Sequence, residues 1–294
     1  MTKMILLGFP DYAAPAQRLA SAFGTAYAEV GVHRFPDGES LVRLPAGLPE
    51  RVIFCRSLDR PNDKLIELLL SARTARELGA RRIILVAPYL CYMRQDVANH
   101  PGEAVSQRIV GGLLAELFDD VITVDPHLHR IDSLHQAIPL DNAIALTAAE
   151  EIAAFLQDKF DRALLLGPDS ESEQWVAGIA QRTGFDYAVA EKQRYGDRQV
   201  AIALPDIDYT SRAVVIVDDM ASTGRTIAQA ARLLQTAAAP EIYAVVTHPL
   251  FCSDAQQQII AAGVRSIWST DSIDHATSVV HLDALIADAL RSLF

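Results

Sequence analysis

Cysteine is scarce. The 294-residue chain has three, Cys55, Cys91 and Cys252, far apart and in neither metal-ligand nor redox spacing. That pattern speaks against a disulfide framework or a thiolate metal site and implies a reduced, cytoplasmic setting. Long basic runs are also missing. Lys and Arg number 26 against 37 Asp and Glu, for a net charge of −11. General nucleic-acid binding needs a basic face, so this balance argues against it. Phosphate ligands are not excluded, because a few local cations together with Mg²⁺ can balance them. No apolar run approaches a membrane span, and Met4–Phe9 is too short for a signal-peptide core. Low-complexity segments and an obvious linker are absent as well.

What is present is apolar residue in quantity, 50% of the chain. At this length that is enough for two cores, hence two domains. Short apolar runs (Met4–Leu7, Val52–Cys55, Arg82–Ala87, Val121–Val124, Ala163–Leu166, Ala213–Val217, Ile242–Thr247 and Val264–Trp268) alternate with amphipathic stretches. The latter include Asp63–Leu78, Ala104–Phe118, Thr147–Leu156 and Glu173–Arg182. Such alternation predicts an α/β fold of mainly parallel sheets flanked by helices, with ligands at the carboxyl ends of strands. The best interdomain crossing is Pro139–Asn142. It divides the chain into residues 1–141 and 142–280. The tail, 281–294, carries Leu282, Leu285, Ile286, Ala289, Leu290 and Leu293 at helical spacing and must dock on one of the two domains.

The most informative stretch is Ala213–Ile227. Five apolar residues read as a buried strand. Asp218 and Asp219 follow, then the turn Ala221-Ser222-Thr223-Gly224-Arg225-Thr226, then a helix burying Ile227, Ala230, Ala231, Leu233 and Leu234. The turn would aim backbone amides at an anion, and the helix start adds a favourable dipole. The two carboxylates can accept hydrogen bonds from sugar hydroxyls or hold a metal. Anion donors beside hydroxyl acceptors suit a sugar phosphate. The stretch resembles the phosphoribosyl-pyrophosphate loop of type I phosphoribosyltransferases and of ribose-phosphate diphosphokinases, and alone it does not separate the two.

Other segments do. Pro88-Tyr89-Leu90-Cys91-Tyr92-Met93-Arg94-Gln95-Asp96 follows a strand, and its Arg, Gln and Asp suit a polyphosphate and its base. It resembles the Pro-Tyr-x-x-Tyr-x-Arg-Gln-Asp pattern of the diphosphokinases, which simple phosphoribosyltransferases lack. Arg34-Phe35-Pro36-Asp37-Gly38-Glu39 resembles that family's adenine loop. Phe35 can stack on a purine while Asp37 and Glu39 accept from its amine, although Pro-Asp-Gly also suits a plain hairpin turn. Val124-Asp125-Pro126-His127 resembles a Val-Asp-x-His segment whose imidazole serves metal or phosphate; His129 is the weaker neighbour. Gly167-Pro168-Asp169-Ser170 resembles a segment whose carboxylate serves Mg²⁺, though a helix N-cap would use the same residues. Glu191-Lys192-Gln193-Arg194 resembles the start of the catalytic loop, with two cations at alternate positions of an extended segment; a solvated hairpin is the plainer alternative.

These motifs stand in family order over nearly the whole chain, which is identified as a member of the ribose-phosphate diphosphokinase family. The resemblance implies two type I phosphoribosyltransferase-like domains, with the tail helix returning to the first. It implies transfer of the β,γ-diphosphoryl group of ATP to the 1-hydroxyl of ribose 5-phosphate, giving AMP and 5-phosphoribosyl 1-pyrophosphate. Lys192 and Arg194 would stabilise the transition state. Phe35, Asp37, Glu39, Arg94, Gln95 and Asp96 would bind ATP. Asp218, Asp219, Ser222, Thr223, Gly224, Arg225 and Thr226 would bind ribose 5-phosphate, and His127 and Asp169 would hold Mg²⁺. A homo-oligomer of at least two copies is expected, with no nucleic-acid or membrane partner. The chain departs from bacterial members at Ser222, often acidic there, at Arg225, usually small, and at Val97–Glu103, usually basic; the last speaks against phosphate or ADP control of their kind. The rival readings are a phosphoribosyltransferase and a non-catalytic regulatory subunit.

Overall fold

The computed structural model describes residues 4–128, 130–195 and 199–294. Its first unit comprises residues 1–147, 272–274 and 282–294, and its second comprises 148–271 and 275–281.

In the first unit the chain runs through β1 (Met4–Gly8), α1 (Ala13–Phe23), β2 (Ala26–Glu29), β3 (Gly31–Arg34), β4 (Ser40–Arg43), β5 (Arg51–Cys55), α2 (Pro61–Glu77), β6 (Arg82–Val86), α3 (Ser106–Leu117), β7 (Asp120–Val124) and β8 (Asn142–Leu146). Six of these strands form one sheet in the order β2-β1-β5-β6-β7-β8, parallel throughout. Apolar β-branched runs suit strands covered on both faces. Accordingly Val52, Ile53, Phe54, Ile83, Ile84 and Leu85 are fully buried. β3 and β4 stand apart as an antiparallel hairpin leaving the carboxyl end of β2.

The second unit repeats the plan. It contains α4 (Ala149–Lys159), β9 (Leu164–Gly167), α5 (Glu173–Thr183), β10 (Asp186–Val189), β11 (Glu191–Tyr195), β12 (Gln199–Ala203), β13 (Val214–Met220), α6 (Arg225–Thr236), β14 (Ile242–His248), α7 (Ala255–Ala261), β15 (Ser266–Thr270) and β16 (Ser278–Val280). Its parallel sheet has the order β10-β9-β13-β14-β15-β16. An antiparallel hairpin, β11–β12, again follows the second sheet strand. In both units the strand order reverses beside the first strand, between β1 and β5 and between β9 and β13. Such a switch point opens a crevice at the carboxyl ends.

Two sequence expectations need correction. The crossing is not at Pro139–Asn142, because β8 pairs with β7 in register from Asp120↔Asn142 to Val124↔Leu146. The first unit therefore runs to Thr147. The strand expected to end at Val217 continues to Met220, held by Asp218↔Val246 and Met220↔His248. The tail forms α8 (Asp283–Ser292), which belongs to the first unit and packs on α1. Arg291 donates to the Ala22 carbonyl at 2.6 Å, Arg82 donates to the Leu293 carbonyl at 3.1 Å, and the Arg82 guanidinium lies 5.1 Å from the Phe294 ring centroid. Among the described residues, no helix is long and apolar enough to cross a membrane.

Candidate active site

The second unit carries its candidate groups at its switch point. Asp218 and Asp219 end β13, and Asp169 follows the adjacent β9. The intervening turn is pinned from one side. Ala221 N donates to the His248 carbonyl at 3.0 Å, Phe251 N to the Ala221 carbonyl at 2.8 Å, and Cys252 N to the Ser222 carbonyl at 2.9 Å. Gly224 is the N-cap of α6 at φ +69°, a left-handed conformation. A Cβ there would stand 2.9 Å from Ile259 Cδ1 and 3.0 Å from the Ala255 carbonyl oxygen. Glycine is therefore required twice, for the backbone turn and for close packing. No side chain caps α6. Its first-turn amides, including those of Arg225 and Thr226, are left to water or to an anion.

Burial, then the neighbouring carboxylates of Asp219 and Asp169, push the Asp218 carboxyl well above its ordinary value of 3.8. Asp218 Oδ1 accepts from Asp219 N at 3.0 Å. Asp169 also caps the short turn Ser170–Ser172, accepting from Glu171 N at 3.1 Å, so the capping role is real beside any ligand role. A carboxyl crowded in this way suits hydroxyl donors, while among the described residues no group of three or more His, Cys, Asp or Glu is gathered as a metal site. A raised carboxyl costs the ligand-free fold progressively as pH climbs from 3.8 through the raised value, and nothing below. Asp218→Asn is therefore expected to raise Tm of the ligand-free protein at pH 8, by ~2–4 °C per ~1 kcal/mol relieved, with the gain vanishing near pH 4. Thermal melts at the two pH values check this; a gain independent of pH, or a loss at pH 8, contradicts it.

Lys192 and Arg194 occupy alternate positions of β11, in register with Ile202 and Val200. Their side chains lie outside the description, as does His129.

In the first unit the loops after β6 and β7 meet through an ion pair of Asp96 Oδ1 with Arg130 Nη1 at 2.5 Å. Gln95 Oε1 accepts from Ser106 Oγ at 2.6 Å at the start of α3. Two of the three expected ATP residues in this loop are thus engaged within the protein. Arg94 is exposed, with no ion pair among the described residues. Tyr92 is held at φ +61° and donates to Asn62 Oδ1 at 2.5 Å, and Asp125 sits at φ +37°. Positive φ at two non-glycine residues flanking Arg94 and His127 is strain of the kind found at ligand sites. Phe35, Asp37 and Glu39 stand exposed on the β3–β4 turn. Phe35 N donates to the Glu39 carbonyl at 2.8 Å and Glu39 N to Asp37 Oδ1 at 3.1 Å.

The sequence reading missed the groups filling this unit's own switch point. Arg56, at the end of β5, is 2% exposed and lies over Phe9 with Cζ 4.2 Å from the ring centroid. It pairs with Asp11 at 3.0 Å and with the fully buried Glu67 at 2.6 Å. Lys64 pairs with Asp11 at 2.9 Å and with Asp59 at 2.6 Å. Burial alone would raise the Asp11 carboxyl, but Arg56 and Lys64 outweigh it and hold it below its ordinary value. One signal was available. Lys64, Glu67, Leu68, Ser71 and Ala75 share one stripe of α2, so two charges fall on its apolar face.

Comparison with known proteins gives the following. Residues 4–117 match the N-terminal domain of ribose phosphate pyrophosphokinase, and residues 135–283 match the phosphoribosyl transferase domain. A ribose-phosphate pyrophosphokinase of Methanopyrus kandleri is 34% identical over 294 residues, 99% of each chain. That of Methanosarcina acetivorans is 32% identical over 292 residues, 99% of this chain and 100% of its own. The crystal structure of phosphoribosylpyrophosphate synthetase from Mycobacterium smegmatis shares the fold, with a TM-score of 0.83 over 99% of both chains at 23% identity.

Proposed function

Because the chain belongs to the ribose-phosphate pyrophosphokinase family, we propose that its second unit seats ribose 5-phosphate and its first unit holds ATP. The reaction makes 5-phosphoribosyl 1-pyrophosphate and AMP from the two. Relatives similar over their full length, together with a match to the family's own N-terminal domain, leave no room for a simple phosphoribosyltransferase.

The observation that carries the assignment is the uncapped α6 start beside Asp218, whose carboxyl is crowded by Asp219 and Asp169. Backbone amides of Ser222–Thr226 take the 5-phosphate, and exposed Arg225 adds a cation at the first turn of the helix. Asp218 and Asp219 accept from the ribose 2- and 3-hydroxyls and so orient the ring. Its anomeric hydroxyl attacks the β-phosphorus of ATP in line. Such transfers rest on alignment and charge stabilisation, with little covalent work by the protein. Arg94 contacts the polyphosphate, Gln95 and Asp96 shape its loop, and Phe35 stacks on the base with Asp37 and Glu39 at its edge. Lys192 and Arg194 neutralise the β-phosphoryl group as the bond to AMP breaks.

Mg²⁺ is the expected cofactor of the family's reaction; Asp169 in the second unit and His127 in the first are the residues that would contact it. When bound, the ion would screen the triphosphate and fix its orientation. The working form is a cytoplasmic homo-oligomer of at least two copies, in which Phe35 reaches a neighbour's nucleotide.

The test is nucleotide analysis after incubation with ATP, Mg²⁺ and ribose 5-phosphate. AMP formation that depends on the sugar is expected. ADP formation, or AMP without sugar, contradicts the reading.

A further inference from the structure

We infer that Glu67 is a positioning residue for nucleotide recognition: its buried carboxylate clamps both ends of the Phe35–Glu39 turn and sets where that turn points. The inference rests on reading Phe35–Glu39 as the base-contacting loop.

Arg34 and Ser40 form the last register pair of the β3–β4 hairpin and flank the turn directly. Both donate to one atom, Glu67 Oε1, Arg34 Nε at 3.1 Å and Ser40 Oγ at 3.0 Å. The other oxygen, Oε2, forms an ion pair with buried Arg56 at 2.6 Å but accepts no hydrogen bond, so the two loop-side donors supply all the hydrogen bonds this carboxylate receives. Bonds within the turn, such as Phe35 N to the Glu39 carbonyl, fix its shape but not its direction. A two-stranded hairpin outside a sheet is marginal alone and takes its orientation from what it docks on. Val32 and Val42 pack its base against the core. The end bearing Phe35 is tied to α2 through buried Glu67 and, more weakly, through an exposed ion pair of Arg34 with Asp63 at 3.2 Å.

Burial makes the clamp strict. The Arg34 side chain is 53% exposed and the Glu67 side chain 0%. An exposed ion pair could open to water at little cost, whereas a fully buried carboxylate keeps all its donors or loses heavily. The crevice that in the second unit ends in crowded carboxylates and an uncapped helix is here filled by Arg56 and Lys64 with their acidic partners. The first unit's switch point thus serves as the anchor of a recognition loop.

The test uses Arg34→Met/Ser40→Ala, which removes the loop-side donors and leaves the Glu67–Arg56 pair intact, beside Asp63→Asn, which removes only the exposed Arg34–Asp63 pair and is expected to keep wild-type constants; the same split in Asp63→Asn overturns the clamp. Phe35→Ala and Ser40→Thr are controls. The double variant is expected to raise KM for ATP about tenfold or more, to hold kcat and KM for ribose 5-phosphate within about twofold, and to lower the preference for ATP over GTP by a similar factor. Ser40→Thr keeps the hydroxyl and keeps wild-type constants. Glu67→Gln, where it folds, shows the same split. Unchanged KM and base preference in the double variant, with a raised KM in Phe35→Ala, overturns the clamp and leaves the loop reading standing. No effect of Phe35→Ala overturns the loop reading and the clamp with it. Loss of kcat and both KM values in step with Tm reduces Glu67 to a stability role and also overturns the clamp.

Discussion

Lys192→Ala and Arg194→Ala should each lower kcat by roughly 10³-fold or more while leaving KM for both substrates within a few-fold. The β-phosphoryl group acquires its charge distribution only as the bond to AMP breaks. A cation engaged at that moment contributes to kcat and hardly to ground-state binding. Lys192 and Arg194 stand two positions apart on β11, the spacing expected of two cations that serve one group. Single-turnover AMP formation with saturating substrates measures the effect without interference from product release. Lysine in place of Arg194 should recover only part of the rate, because the planar fork of guanidinium is lost. A loss of only a few-fold in both alanine variants would remove these residues from the chemistry.

Gly224→Val is expected to weaken ribose 5-phosphate binding by roughly a hundredfold, with KM for ATP little changed. Valine at φ +69° is strained by about 1–3 kcal/mol, and its Cβ would meet Ile259 Cδ1 and the Ala255 carbonyl oxygen. The turn must shift to relieve the contact, and the first amides of α6 shift with it. Each charge-assisted bond lost from the 5-phosphate costs about 1.5–3 kcal/mol, so two misplaced amides account for the hundredfold change. Asp219→Ala strikes the other side of the same site and should also act on the sugar rather than on ATP. A drop in the affinities of both substrates, accompanied by a lower Tm, would mean that Gly224 serves only the packing of α6 on α7.

Much of the fold was legible because buried parallel strands leave uninterrupted apolar runs. Ile83–Val86 and Val214–Val217 are buried on both faces and could hardly be anything else. β8 was not legible: Asn142–Leu146 is an edge strand, mostly half-buried, with no strong run or alternation, and only its pairing with β7 reveals it. β13 outran its apolar run because pairing with β14 carries two carboxylates in extended form. Loop motifs with a fixed order of unusual residues, such as Arg94-Gln95-Asp96, pointed to the family and to a candidate site. Which of those residues face a ligand was not readable. Ser106 and Arg130, which engage Gln95 and Asp96, lie 11 and 34 positions away. Glu67 was hidden for the same reason: its partners Arg34, Ser40 and Arg56 come from β3, β4 and the residue after β5.

The most direct test of the sugar-phosphate seat is calorimetric titration of ribose 5-phosphate into the wild-type protein, Gly224→Val and Asp219→Ala, each first shown to be folded by its melting curve. The account predicts that both variants lose most of the wild-type affinity while still binding ATP. Wild-type affinity for the pentose phosphate in both would place the sugar somewhere other than the Asp218–Thr226 turn.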